Sequence, residues 1–333
     1  ECLCRNKIAH TLCVATDYGE EVLEHSEYAH VLQGRLDTEQ MTDLMATIQL
    51  PEEGIRQLLD AREQLEKEGH WDVIVQTAEQ VMTADGELSV LTKTLEETEG
   101  REETFGVNRY LLDALMLFCC WEEVKVRYEK QGLPMDVFDK SLEDMKWKML
   151  ECYEIHGVYG NFVGHWYDGF FNLTRFGLGR LQFELRPFEG KEDCEVDGVQ
   201  IHPGDTVINM HIPSAGPMKP ELLDDAFARA EVFFKEHFPK DYTVFGVESW
   251  LIDPDLVRIL PEGNMKAYAD RFHLVAAEKS EMIFPDGWRV FGAEWKKKPE
   301  ELPRKTGLQR AIADYLQQGG KLGSGYGIFV RKK

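Results

Sequence analysis

Residues 204–237, GDTVINMHIPSAGPMKPELLDDAFARAEVFFKEH, constrain the fold more than any other stretch. Val207 to Ile212 alternates with the two-residue period of a strand: Ile208, Met210 and Ile212 face one way, Val207, Asn209 and His211 the other. Ser214-Ala215-Gly216-Pro217 breaks that strand. A helix begins at Pro220, because the N–H that proline lacks would be unpaired in a first turn anyway, and Glu221 suits the positive end of the helix dipole. Leu223, Phe227, Ala230 and Phe234 give it a buried stripe at spacings of four, three and four. Thr243 to Leu251 is a second apolar strand. Strand, small-residue loop, helix and strand form a parallel crossover, which is nearly always right-handed. The unpaired amides at the helix N-terminus suit an anion such as a phosphate.

The rest of the chain divides in two. Residues 1–152 are poor in glycine and proline and show helical periodicity. Ile55, Leu58, Leu59 and Leu65 form one stripe, ended by Gly69; WDVIVQTAEQVM repeats the pattern from Trp71; YLLDALMLFCCWEEVKVRY predicts a long apolar helix; Pro134 starts another. Six to eight antiparallel helices are expected. Residues 153–333 are the second domain, and the fold class is α+β: a helical bundle followed by a mixed-sheet domain. Residues 154–188 read as strands separated by glycines, and Leu181, Phe183 and Leu185 alternate with Gln182, Glu184 and Arg186. Asp197-Gly198 marks a hairpin. Asp253-Pro254 opens a short turn or helix, Asn264 caps a helix through Met265, Tyr268, Ala269 and Phe272, and residues 281–284 and 288–293 are further strand candidates. Thr306-x-x-Gln309 is a capping box, and Tyr326 to Val330 is a last strand.

Charge narrows the partners. A formal net charge of −22 over 333 residues argues against nucleic acid and anionic membrane surfaces, which attract positive patches. No apolar run is long enough to span a bilayer, and no signal-peptide core is evident. Seven scattered cysteines fit reduced thiols in a cytoplasmic protein. Cys2, Cys4, His10 and Cys13 cluster, but their spacing matches no standard zinc module, so no metal site is expected. Gly-x-Ser-x-Gly, Walker and His-Glu-x-x-His motifs are absent, which removes the usual support for serine hydrolase, P-loop and zincin chemistry.

The order of elements from residue 178 resembles the GNAT N-acyltransferase fold, with INMHIPSAGPMKPELLDDAF and TVFGVESWL as its central strand–loop–helix and the following strand. Over nearly the whole chain, HGVYGNFVGHW, NMHIPSAG and ESWLIDP are similar to bacterial acyltransferase-domain proteins that join a helical N-acyltransferase N-terminal domain to a GNAT-like C-terminal domain. The resemblance implies acyl-CoA, with acetyl-CoA the first expectation, and a small-molecule acceptor. It implies pyrophosphate on the amides of Ser214, Ala215, Gly216, Met218 and Lys219, pantetheine pairing with the backbone of Met210 and Ile212, and Asn264 of the Asn264-Met-Lys-Ala267 motif beside the cofactor. One departure stands out: the family's Arg/Gln-x-x-Gly-x-Gly/Ala loop is replaced by a segment with one glycine and two prolines, Pro213 to Lys219, and Pro217 has no N–H to give.

Acyl transfer to an amine needs a base for the amine, polarisation of the thioester oxygen and an acid for the leaving thiolate. Glu248, a carboxylate on an apolar strand, and His211, whose imidazole titrates near neutrality, are the candidate bases. Ser249 and Ser214 are candidate hydrogen-bonding groups, though either residue type also caps turns. Tyr268 is the candidate acid for the thiolate, against core packing on its helix. His156, His165, Trp166 and Tyr167 could line an acceptor pocket or simply pack. A metal site of His202, His211 and Glu248 would fit a cupin barrel, which the crossover helix opposes. The expected function is an acyl-CoA-dependent N-acyltransferase working by direct attack on the thioester. The alternative is a non-catalytic ligand-binding or scaffolding module on the same fold.

Overall fold

The computed structural model describes residues 37–84, 88–238 and 243–331. The Cys2, Cys4, His10 and Cys13 group lies outside them. Among the described residues, six helices come first: α1 (Thr38–Thr47), α2 (Glu52–Glu68), α3 (Trp71–Thr83), α4 (Leu88–Phe105), α5 (Arg109–Gln131) and α6 (Met135–His156). Helix α5 is buried along almost its whole length from Leu112 to Val124, and it touches each of the other five. A helix that is apolar all round must be surrounded, which is why the bundle is built about it. It ends at Gly132, where φ is 65°, and Pro134 sets up α6 two residues on.

The segment expected as glycine-separated strands between residues 154 and 173 carries no strand: helical turns flank an irregular stretch at 157–163. Helix α6 runs to His156, a 3₁₀ turn covers Gly164–Tyr167, and α7 spans Asp168–Phe171. Tyr167, Phe170 and Phe171 recur at helical spacing, and their rings pack around Trp121 of α5 at 5.6–6.3 Å. Burying three aromatics on one side requires a helical turn; a strand would divide them between two faces.

The sheet begins at β1 (Arg175–Leu178) and continues with β2 (Leu181–Pro187), the ribbon β3 (Cys194–Val196) and β4 (Val199–Ile201), then β5 (Thr206–His211), α8 (Pro220–His237) and β6 (Val244–Ser249). After these come α9 (Pro254–Ile259), α10 (Asn264–Ala269), β7 (His273–Glu278), α11 (Trp288–Phe291), α12 (Gly307–Gln317) and β8 (Ser324–Val330). Six strands form a mixed sheet in the order β1-β2-β5-β6-β8-β7, with β5 and β6 its parallel pair. The hairpin at Asp197-Gly198 has φ of 52° and 84°, as a tight turn between two strands requires.

Several local expectations are corrected. Asn264 does not cap its helix: it is the first residue of α10, and Gly263 precedes it without a side-chain cap. That helix stops at Ala269, and His273–Glu278 is a strand because β8 offers it a partner edge. Residues 281–284 and 288–293 are not strands; Trp288–Phe291 is helical and a 3₁₀ turn follows it. The helix start at Asp253 and the capping box at Thr306 are as the sequence predicts.

One sheet face carries Phe176, Phe183, Ile208, Met210 and Phe245 and packs on α8. Phe227 of that helix meets Phe183, Phe245 and Phe329 at 4.9–6.0 Å. The opposite face is covered in two parts. The β3–β4 ribbon shields Val207, Ile328 and Val330, while α6 packs on β1. A single apolar core extends from Met41 of α1 to Leu322 before β8, joining the bundle to the sheet. Among the described residues, no helix is long and apolar enough to cross a membrane.

Candidate active site

The register of β5 against β6 runs through Ile208↔Phe245 and Asn209↔Gly246 and does not continue to Met210 and Val247, although both strands do. The strands therefore part, leaving the backbone edge of Met210–His211 facing a gap. Val247 to Ser249, across that gap, pair on their far side with β8. Beyond the gap lies the loop 212–219, which leads into α8. Ser214, Gly216 and Lys219 are exposed, Ala215 is half-buried and Met218 is buried. Among the described residues, the amides of Ser214, Ala215, Gly216, Met218, Lys219 and Glu221 have no hydrogen-bond acceptor within the protein. They cluster at the positive end of an 18-residue helix. Met210 is buried and Ile212 half-buried, both in the α8-facing core, so only their backbone is available to a ligand.

On the face away from α8, a charged cluster fills the space beneath the helical domain. His211 Nε2 lies 2.6 Å from Glu184 Oε1, and the Asn209 side-chain amide is 3.2 Å from the same nitrogen. Arg175 donates to Glu184 Oε2 at 3.0 Å and to the Trp166 carbonyl at 2.6 Å, and its guanidinium stacks 3.8 Å from the Trp166 ring centre. Trp166 meets the His211 ring edge-on at 4.8 Å. Gln182 donates to Asp144 of α6 at 2.5 Å. Burial, with Arg175 and Arg186 nearby, pulls the His211 imidazole down to about 4 against the pull of Glu184, so the ring is neutral at neutral pH. Burial works to raise Glu184, but His211, Arg175 and Arg186 together outweigh it and hold the carboxyl well below the usual range. An ionised carboxylate only accepts, so Nε2 carries the ring proton and Nδ1 keeps its lone pair.

The remaining sequence candidates are placed as follows. Glu248 is exposed on the stretch of β6 that has left β5, on the same sheet face as Asn209. Partial burial and the neighbouring Glu189 push its carboxyl up. Ser249 Oγ accepts the Leu251 amide at 3.2 Å and starts a 3₁₀ turn. Ser214 Oγ donates to Glu151 of α6, which also receives Lys148 at 3.2 Å, so the loop is tied to the helical domain. Tyr268 is fully buried beside Phe272, and among the described residues its hydroxyl has no hydrogen-bond partner; burial raises it far above the ordinary phenol range. Its helix α10 touches both α8 and the turn that follows β6. Asn264 is exposed at the start of that helix. His156 stacks on Tyr110, Tyr167 is core, and His202 pairs with Asp193 instead of approaching His211.

Glu184, Arg175 and Asp144 join the site without having been singled out in the sequence. The available signal was Gln182 and Glu184 on an alternating strand, but alternation alone reads as a solvent face.

Two family models match, and they meet where the sheet starts. An "N-acyltransferase N-terminal domain" matches residues 39–173 and a "GNAT-like C-terminal domain" matches residues 175–329. No curated protein matches the chain. Among solved structures, similar folds include an acyltransferase mutant in complex with octanoyl-CoA and an acyltransferase in complex with decanoyl-CoA and teicoplanin. Each has a TM-score of 0.70 and 21% identity and covers 88% of both chains. A third, with CoA and 10C-teicoplanin, has a TM-score of 0.70, 22% identity and the same coverage. The chain belongs to the family of proteins that join an N-acyltransferase N-terminal domain to a GNAT-like C-terminal domain.

Proposed function

We propose that the protein is an acyl-CoA-dependent N-acyltransferase that transfers a medium-length acyl chain to the amine of a small-molecule acceptor. The parting of β5 and β6 beside a run of free amides at the start of α8 carries this reading. The amides of Ser214, Ala215, Gly216, Met218 and Lys219 receive the pyrophosphate, the backbone of Met210 and Ile212 pairs with pantetheine, and Asn264 lies beside the cofactor. The acetyl donor suggested by the resemblance gives way here to a longer one, since the solved structures of like fold hold octanoyl- and decanoyl-CoA.

His211 is the favoured base over Glu248. Its ring is neutral, held on both sides by Glu184 and Trp166, whereas Glu248 is exposed among other carboxylates. The amine nitrogen forms the new bond to the thioester carbon while Nδ1 of His211 takes its proton, and Glu184 stabilises the imidazolium. The C–S bond breaks, and Tyr268, kept protonated by burial, gives its proton to the thiolate. Ser249 and Ser214 remain candidates for orienting the acceptor. The aromatic Trp166 and the interdomain cluster supply the acceptor side, since clefts between domains are common ligand sites.

Thermal melting with CoA and decanoyl-CoA, followed by turnover with small primary-amine acceptors, tests this. Saturation about a hundredfold above the dissociation constant stabilises by about 2.7 kcal/mol. Binding with no turnover on any amine would favour the non-catalytic module, and no shift at millimolar CoA would sink the acyltransferase reading and leave the non-catalytic module on the same fold.

A further inference from the structure

Arg180 sits in the turn between β1 and β2 and is 8% exposed. Its guanidinium gathers three carbonyls of one loop. Nη1 donates to Pro213 O at 2.9 Å, Nη2 to Gly216 O at 2.7 Å and Nε to Pro217 O at 3.3 Å. Among the described residues, no carboxylate oxygen forms a salt bridge with it; Glu143 acts on it only at longer range. A guanidinium has donors and no acceptor, and here they go to carbonyls, so its positive charge sits behind the loop with no carboxylate bound to it.

The consequence for the loop follows from peptide geometry. No peptide bond among the described residues is cis, and in a trans unit the C=O and N–H point in opposite directions. With the carbonyls of Pro213 and Pro217 turned to Arg180, the N–H groups of Ser214 and Met218 in the same peptide units point away from it. Those are two of the amides that lack an internal acceptor. A glycine-rich loop reaches such a shape through its own backbone freedom. This loop has only Gly216, at φ 97°, between two prolines.

We infer that Arg180 is the positioning residue of the acyl-CoA pyrophosphate site, holding the 213–218 loop with its amides outward and placing a positive charge behind them. It replaces, by a cross-link from a neighbouring turn, the order that extra glycines would otherwise permit. The inference rests on the acyl-CoA reading above.

The test is calorimetric titration of the full chain and of Arg180→Ala, Arg180→Lys and Gly216→Ala with CoA, pantetheine and inorganic pyrophosphate, alongside melting curves. The expected result is a loss of about 10- to 100-fold in CoA affinity for all three variants. Pyrophosphate binding falls in parallel, and pantetheine binding is unchanged. Lysine fails to rescue because a point charge cannot reach three carbonyls at once. Should Arg180→Ala not fold, Arg180→Lys and Gly216→Ala carry the same comparison. Unchanged CoA affinity in the variants, or an equal loss for CoA and pantetheine, overturns the inference and leaves the acyltransferase reading standing. A wild-type chain that binds neither CoA nor pyrophosphate overturns both.

Discussion

His211 on β5 and Glu184 on β2 are diagonal neighbours on one sheet face, with Nε2 and Oε1 2.6 Å apart, and the second carboxylate oxygen of Glu184 is taken by Arg175. One carboxylate thus fixes the ring's tautomer and anchors a buried guanidinium. Glu184→Gln keeps the shape and removes the charge. Turnover should fall by about 10²- to 10⁴-fold, the range for losing effective general-base help, with KM for acyl-CoA little changed. Because Arg175 is left buried without its partner, stability should also drop by about 3–5 kcal/mol. Steady-state kinetics and urea melts check the two effects separately; a purely structural Glu184 would leave turnover of the folded fraction intact.

The acid side of the stability curve should carry the signature of His211. Its folded value is lowered from 6.5 to about 4, so between those values the unfolded chain holds the extra proton. The associated stabilisation, roughly 3 kcal/mol, is fully present above pH 6.5 and is lost as pH falls toward 4. His211→Ala should flatten this part of the profile while abolishing most turnover. In kcat/KM, no limb near pH 6.5 from the enzyme is expected, and the acid limb should follow the acceptor amine instead.

Tyr268 offers a trade between stability and catalysis. Its hydroxyl is buried without a partner among the described residues, and such a group costs about 1–3 kcal/mol. Tyr268→Phe should therefore raise the melting temperature while lowering turnover, most visibly with thioesters whose thiolate leaves poorly. A destabilised variant would show that the hydroxyl has a partner in solution and is not held for the thiolate.

The contact between β1 and α6 leaves no room for a side chain at Gly177. A Cβ there would lie 2.6 Å from the Lys140 carbonyl oxygen, and the Gly177 amide donates to Ser141 Oγ at 2.8 Å. Gly177→Ala should force the sheet off the bundle at a cost of about 1–3 kcal/mol, read as a lowered urea midpoint. The displacement would also loosen the Gln182–Asp144 contact beside the site, so turnover should suffer more than at a Gly132→Ala control on the far end of α5.

Local sequence settled the elements whose signals are short-range. The crossover from Val207 through Pro220 to Thr243 was legible because its periodicities, its proline and its small-residue loop all agree. The Asp197-Gly198 hairpin and the Thr306 capping box are equally local. The strand β7 was not legible, since HLVAAE suits a helix as well as a strand and only the free edge of β8 selects between them. The aromatic turn at Tyr167 to Phe171 was likewise decided by where Trp121 sits.

The candidate site divides in the same way. The loop, the helix start and His211 were legible locally, because these lie within one continuous stretch. Only the tertiary structure assembled Trp166, Arg175, Glu184 and Asp144 around that histidine, and only it turned Arg180 onto the loop. Alternation tells which side chains share a face of β2; it carries no information about what covers that face. Helix α6 packs against β1 beside it and takes Gln182 and Glu184 from an apparent solvent face into a buried, charge-paired interior.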